Sequence, residues 1–194
     1  MNRRAFLAAL SAAAWLAWVP VAHSADALDV LDVGIEPSAD GESWLLSANL
    51  SVVLTPHLEE AVSRGVALTF LVEFELTRPR WWWWDERTVT ATQTHRLAYH
   101  ALTRQYRVLL NGVPQNYTTL PEALDAMSRV RAWRVVPRDR LRAGVAYEGG
   151  LRIRLDAQQL PKPFQLSALT NREWNPQSEW KRFPFSPETS RSAP

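Results

Sequence analysis

The chain has 194 residues, 46% hydrophobic and 22% charged, the balance of a folded globular domain rather than a disordered one. It has no cysteine, which excludes disulfides, thiol chemistry and cysteine-ligated zinc or iron–sulfur centres. The net charge of +2 is matched by Arg3 and Arg4, both inside the first apolar segment's basic start.

That first segment reads as a targeting signal. "MNRR" is basic, "AFLAALSAAAWLAWVPVA" is apolar, and "AHS" fits a small-x-small cleavage site. Cleavage after Ser24 would leave residues 25–194, with Ala25 first. "RRAFL" also resembles a twin-arginine export signal, so the route, general secretory or twin-arginine, stays open. A retained segment would anchor the chain, because the apolar run is near the lower limit of roughly 18 residues for a span. The cleavage site and Pro20 point to removal and to a periplasmic location.

Without Arg3 and Arg4, 22 basic residues become 20, equal to the 20 acidic ones. A nucleic-acid partner is therefore not expected. The charge is unevenly placed: residues 25–86 hold 12 acids and 3 arginines, and residues 87–194 hold 8 acids and 17 bases. The simplest arrangement interleaves the two halves in one sheet. The sharper alternative is a dipolar surface that steers a charged partner.

In chain order, "DALDVLDVGIE" is a weak strand pattern. "SWLLSANLSVVL" alternates strictly, with Trp44, Leu46, Ala48, Leu50, Val52 and Leu54 on one face. Thr55-Pro56 opens a short helix with Leu58, Ala61 and Val62 as its apolar stripe and Gly65 at its end. "VALTFLVEFELT" puts Phe70, Val72, Phe74 and Leu76 inward and Glu73 and Glu75 outward. "HRLAYHALTRQYRVLLNG" reads as one long strand-like run closed by a tight Asn111-Gly112 turn. Thr119 to Glu122 form a capping box, followed by Leu120, Ala123, Leu124, Met127 and Val130 at helical spacing. "RAWRVV" is a weak strand, and "GLRIRLD" a clear one with Leu151, Ile153 and Leu155 inward. "LPKPFQL" and "REWNPQSEWKRFPFSP" read as an extended aromatic arm over the body, to residue 185. Residues 186–194 read as a loose tail. The prediction is one mainly β domain over 25–185, an antiparallel β-sandwich with two short helices.

This order of elements is similar to that of a bacterial exported family known as domain of unknown function 4390. The matching stretches are "LTPHLEEAVSRGVALTFLVEFEL", "RPRWWWWDE", "RLAYHALTRQYRV", "LPEALDAMSRVRAW", "LRIRLDAQQLPKPFQL" and "EWNPQSEWKRFPF". The resemblance implies an exported, envelope-facing domain, with a link to two-component signalling. It carries over no catalytic residue.

The residues themselves offer little chemistry. No nucleophile elbow, metalloprotease motif, phosphate loop or dinucleotide fingerprint is present. His95 and His100 should face opposite sides of a strand, and the histidines read as solvated or capping groups. No metal site and no cofactor are expected. Glu73 and Glu75 could form an acid/base pair, but pairing with Arg152 and Arg154 across strands is the better reading. No catalytic residue, and hence no enzyme, is expected.

The unusual feature is "RPRWWWWDERT". In an extended chain Trp81 and Trp83 point one way and Trp82 and Trp84 the other, so one core cannot take all four. Each indole can bury about 200 Å². Arg78 and Arg80 are suited to stack on them. One pair should be core. Which pair that is stays open; the candidate binding residues are Arg78, Arg80, Trp82 and Trp84, with Trp174 and Trp180 of the arm. The expected partner is an envelope or inner-membrane protein. A carbohydrate or peptidoglycan fragment on a Trp ledge is the alternative, and membrane association follows only if the signal is retained.

Overall fold

A computed structural model describes residues 27–78 and 86–187. In chain order β1 is Leu28–Pro37, β2 Ser43–Val52, α1 Pro56–Ser63, β3 Leu68–Arg78, β4 Glu86–His100, β5 Gln105–Leu110 and β6 Val113–Tyr117. Then come α2, Leu120–Met127; β7, Arg129–Pro137; β8, Tyr147–Leu155; α3, Lys162–Thr170; and β9, Lys181–Phe185.

The described strands form two antiparallel sheets. One has three strands in the order β1-β2-β7, the other six in the order β6-β5-β4-β3-β8-β9. The alternating patterns decide which faces meet. Leu46, Ala48 and Leu50 of β2 are buried with Phe70, Val72, Phe74 and Leu76 of β3 and Leu151, Ile153 and Leu155 of β8 in one shared core. Phe70 and Phe74 are among its largest fully enclosed side chains, and truncating either to Ala should cost about 3–5 kcal/mol. This is the sandwich-like arrangement that the sequence indicates.

Local signals act as their chemistry requires. Thr55 caps α1 through Oγ1, which accepts from the Leu58 amide, and Leu58, Ala61 and Val62 are buried. Gly65 follows at φ 86°, a left-handed conformation that costs glycine little. The capping box at Thr119 and Glu122 is formed in full. Asn111 and Gly112 both have positive φ, 48° and 85°, as a two-residue turn between β5 and β6 demands.

Four expectations need correction. The "LPKPFQL" stretch is not extended: it leads into α3, a third helix. Pro161 is its N-cap and Pro163 lies in its first turn, where no amide proton is needed, so neither proline interrupts it. The extended arm is confined to the C-terminal end, where β9 pairs with β8 from Leu151↔Lys181 to Tyr147↔Phe185. The long run from His95 onward is two strands, not one. It turns between His100 and Gln105 without Gly or Pro, and Arg104 takes the left-handed φ of 52°. Val130 is buried as foreseen, but on β7, because α2 stops at Met127.

The fourth correction is His95. It faces inward and is fully buried, whereas His100 is exposed, so the two do lie on opposite faces. His95 Nδ1 is 3.1 Å from the Met127 carbonyl oxygen. Burial pushes its pKa down to about 4, so the ring is neutral and donates that bond. A period-2 pattern cannot reveal this, since histidine is compatible with either face.

Candidate functional site

The outer face of the six-stranded sheet gathers the charged residues singled out in the sequence. Glu73 lies opposite Arg152 in the β3–β8 register. Arg152 Nε is 2.6 Å from Glu73 Oε2, and Arg154 Nη2 is 2.9 Å from Oε1. Both carboxylate oxygens are thus engaged. These hydrogen bonds and charges outweigh the cost of burial and hold the Glu73 pKa below its usual value.

One row further along, Glu75 lies opposite Gly150, and Gly150 lies opposite Arg182. Arg182 Nη1 is 2.6 Å from Glu75 Oε1, two strands away. A Cβ on Gly150 would stand 2.8 Å from Arg182 Nη1 and 3.1 Å from Trp180 Cε3. The glycine therefore leaves the path across β8 open. On the opposite face a Cβ on Gly149 would overlap the Phe183 ring. The Gly149-Gly150 pair lets β9 lie close against β8 on both faces.

Trp180 sits at the end of this network. The Arg152 guanidinium carbon is 4.5 Å from the indole centroid and that of Arg182 is 5.1 Å away, both in cation–π range. A hollow of about 200 Å³ opens beside it, lined by Glu73, Glu75, Thr90, Thr92, Arg152 and Trp180 among others. The ion pairs interleave an acidic β3 with basic β8 and β9, which is the simpler of the two charge arrangements read from the sequence.

Trp174 belongs to a different cluster. It stacks on His57, with centroids 5.8 Å apart and planes 7° from parallel, and on Phe164 at 4.9 Å. His57 Nε2 is 2.9 Å from Glu173 Oε2, and Thr55 Oγ1 donates to the Glu173 carbonyl at 2.8 Å. These contacts fasten the turn at 172–174, just after α3, to the start of α1. A larger hollow, about 860 Å³, lies on this side and is lined by Ala27, Thr55, Leu169 and Glu173 among others. Trp174 and Trp180 thus pack against different neighbours, an imidazole and a phenyl ring for the first and two guanidinium groups for the second. Arg78 lies opposite Glu86 at the paired ends of β3 and β4. Arg80, Trp82 and Trp84, with Trp81 and Trp83, fall between those ends and outside the described residues, as does the expectation of alternate core and exposed pairs. The contributions of Arg182 and of the two glycines escaped the sequence reading, although the adjacent glycines inside a strand pattern were a usable signal.

The profile of the family described as "Domain of unknown function (DUF4390)" matches residues 25–184. The chain belongs to this family. No curated protein and no solved structure matches it. The matched span of this DUF4390 chain contains both aromatic clusters and every element of the two sheets except the final residue of β9. Among the described residues no group of three or more His, Cys, Asp or Glu is placed to hold a metal. No described helix is long and apolar enough to cross a membrane.

Proposed function

We propose that this DUF4390 chain is an exported, non-enzymatic binding domain that recognises an envelope protein through the outer face of its six-stranded sheet. The observation that carries the reading is Trp180, half-buried beside Arg152 and Arg182. Tryptophan and arginine held on a rigid sheet are the usual chemistry of a protein-binding hot spot. Glu73 supports the non-enzymatic part. With two arginines on its two oxygens it stays ionised and lacks a free oxygen to shuttle protons. Export is supported by the signal pattern and by the family match, which begins at Ala25, the expected mature terminus. The family resemblance directs the search toward inner-membrane signalling proteins.

In-cell crosslinking of the tagged chain, followed by identification of the captured envelope proteins, tests this reading. A specific partner should be lost in Trp180→Ala while the fold persists. Capture that is absent, or indifferent to Trp180, counts against it.

A second reading, a glycan-binding module, draws on one observation. The hollow beside Trp180 is lined by the Thr90 and Thr92 side chains and two carboxylates, groups that suit sugar hydroxyls. The guanidinium groups near the indole compete with a sugar ring for its face. Retention on peptidoglycan or glycan resin that depends on Trp180 would favour this second reading.

A further inference from the structure

We infer that the open edge of β4, residues 89–93, is a strand-addition site for an extended peptide segment of a protein partner. The edge is visible in the pairing. β5 joins β4 only from His95↔Leu110 to His100↔Gln105, and no described strand pairs with residues 89–93 on that side. The Asn111 amide donates to the Thr94 carbonyl at 2.9 Å, so Thr94 turns its main-chain groups toward this edge. Main-chain groups alternate sides along a strand. Thr90 and Thr92 therefore direct their N–H and C=O outward as well, two donors and two acceptors at strand spacing.

The other edge strands carry devices that discourage pairing. β6 contains Pro114, and β9 contains Lys181, Arg182 and Pro184. β1 has a register break between Val30 and Asp32 and ends in Pro37. β7 has two register breaks and carries Arg129, Arg131 and Arg134. The segment "VTATQ" at 89–93 has no charge and no proline, and its register with β3 runs unbroken from Leu76↔Val89 to Leu68↔Leu97.

The edge also has ends and a chemistry. The break in register between Leu76 and Thr77 closes it on one side and the Asn111-Gly112 turn on the other. The opening holds about five residues, roughly 17 Å of strand. Gln93, opposite the core residue Val72, turns its side chain to the inner face, whereas Thr90 and Thr92 lie on the outer face with Glu75 and Glu73. The hollow beside Trp180 is lined by Thr90, Ala91 and Thr92, so the edge is one wall of the proposed binding face. The ligand class is thus an extended peptide segment that pairs with this edge through its main chain. Affinity comes from main-chain hydrogen bonds, and selectivity from alternate side chains.

This inference rests on the reading of the chain as a binding domain. The probe is a phage-displayed library of random dodecapeptides, selected on the full chain in mild detergent. Enriched peptides should lose at least tenfold in affinity when N-methylated at alternate positions, and little at the positions between. They should also lose at least tenfold on Thr92→Pro, whose amide faces the open edge and not β3. The methylation series leaves the protein unaltered, so it decides the matter if Thr92→Pro unfolds. An empty selection, or peptides indifferent to both changes, overturns the inference. So does a concentration-dependent dimer of the free chain that Thr92→Pro abolishes, which would assign the edge to a second copy. Envelope crosslinking that depends on Trp180 but not on Thr92 would overturn the edge alone and leave the binding-domain reading in place.

Discussion

Arg182 reaches Glu75 over Gly150. The two residues lie on β9 and β3, strands that are not neighbours, and Gly150 of β8 stands between them in register with both. The 2.6 Å contact exists because the intervening residue has no side chain. On the other face Gly149 similarly admits Phe183, which packs against the core.

The two glycines should consequently respond differently to alanine. In Gly149→Ala the new methyl meets a ring packed on the core, which gives way poorly, and the cost should be about 1–3 kcal/mol. In Gly150→Ala it meets chiefly the far end of the Arg182 side chain, which can swing away. That loss should be about 1 kcal/mol or less, in keeping with a partly exposed ion pair. Urea unfolding of the two variants checks the order, and a larger loss for Gly150→Ala would contradict it.

Glu73→Gln should cost about 1–3 kcal/mol by weakening two charge-assisted hydrogen bonds. The pH dependence follows from the lowered pKa. A carboxylate whose pKa is depressed on folding stabilises the fold above its unfolded value, and that contribution is lost as pH falls through the folded value. The chain should therefore weaken below about pH 4.5, and Glu73→Gln should weaken less. Unfolding curves between pH 5 and 2.5 measure this. Any turnover that vanished in this variant with the fold intact would overturn the non-enzymatic reading.

His95 acts in a higher window. Its pKa falls from 6.5 to about 4 on burial, so the unfolded chain binds a proton that the folded chain refuses. Stability is fully present above pH 6.5 and declines as pH drops toward 4, by an amount on the order of 3 kcal/mol. His95→Phe should flatten that slope, even though it leaves the Met127 carbonyl without its donor and lowers stability at neutral pH. Chemical denaturation at half-unit steps from pH 7.5 to 4 separates the two effects.

Trp180→Ala should cost little stability, about 0.5–2 kcal/mol for lost cation–π contact with Arg152 and Arg182. Its effect on envelope-partner capture should be larger, a tenfold loss or more, as for a hot-spot aromatic. Trp174→Ala should show the reverse order, because its ring is wedged between His57 and Phe164. Melting temperature and crosslink yield, scored together, distinguish the two roles.

Mass spectrometry of the exported protein should find an N-terminus near Ala25, from the basic start, the apolar run and "AHS". Intact Met1 in the envelope fraction would replace cleavage with a retained anchor.

The sequence by itself determined the elements whose signals are local. Period-2 patterns placed Phe70, Val72, Phe74 and Leu76 inward, and the caps at Thr55 and Thr119 fixed two helix starts, because side-chain direction and capping are settled within a few residues. The pairing of Glu73 with Arg152 and Arg154 was legible because the charges alternate on strands already recognised. What remained depended on contacts distant in the chain. Two prolines in "LPKPFQL" looked like an extended segment, yet α3 can start there because Pro161 and Pro163 need no amide proton, and Phe164 packs on Trp174. His95 fits either face of a strand, and only the approach of Met127 from α2 supplied the carbonyl that lets it be buried. The division of Trp174 and Trp180 between two clusters, the bridge over Gly150 and the edge that the described strands leave at Thr90 and Thr92 come from strand order. No local pattern records which strands become neighbours.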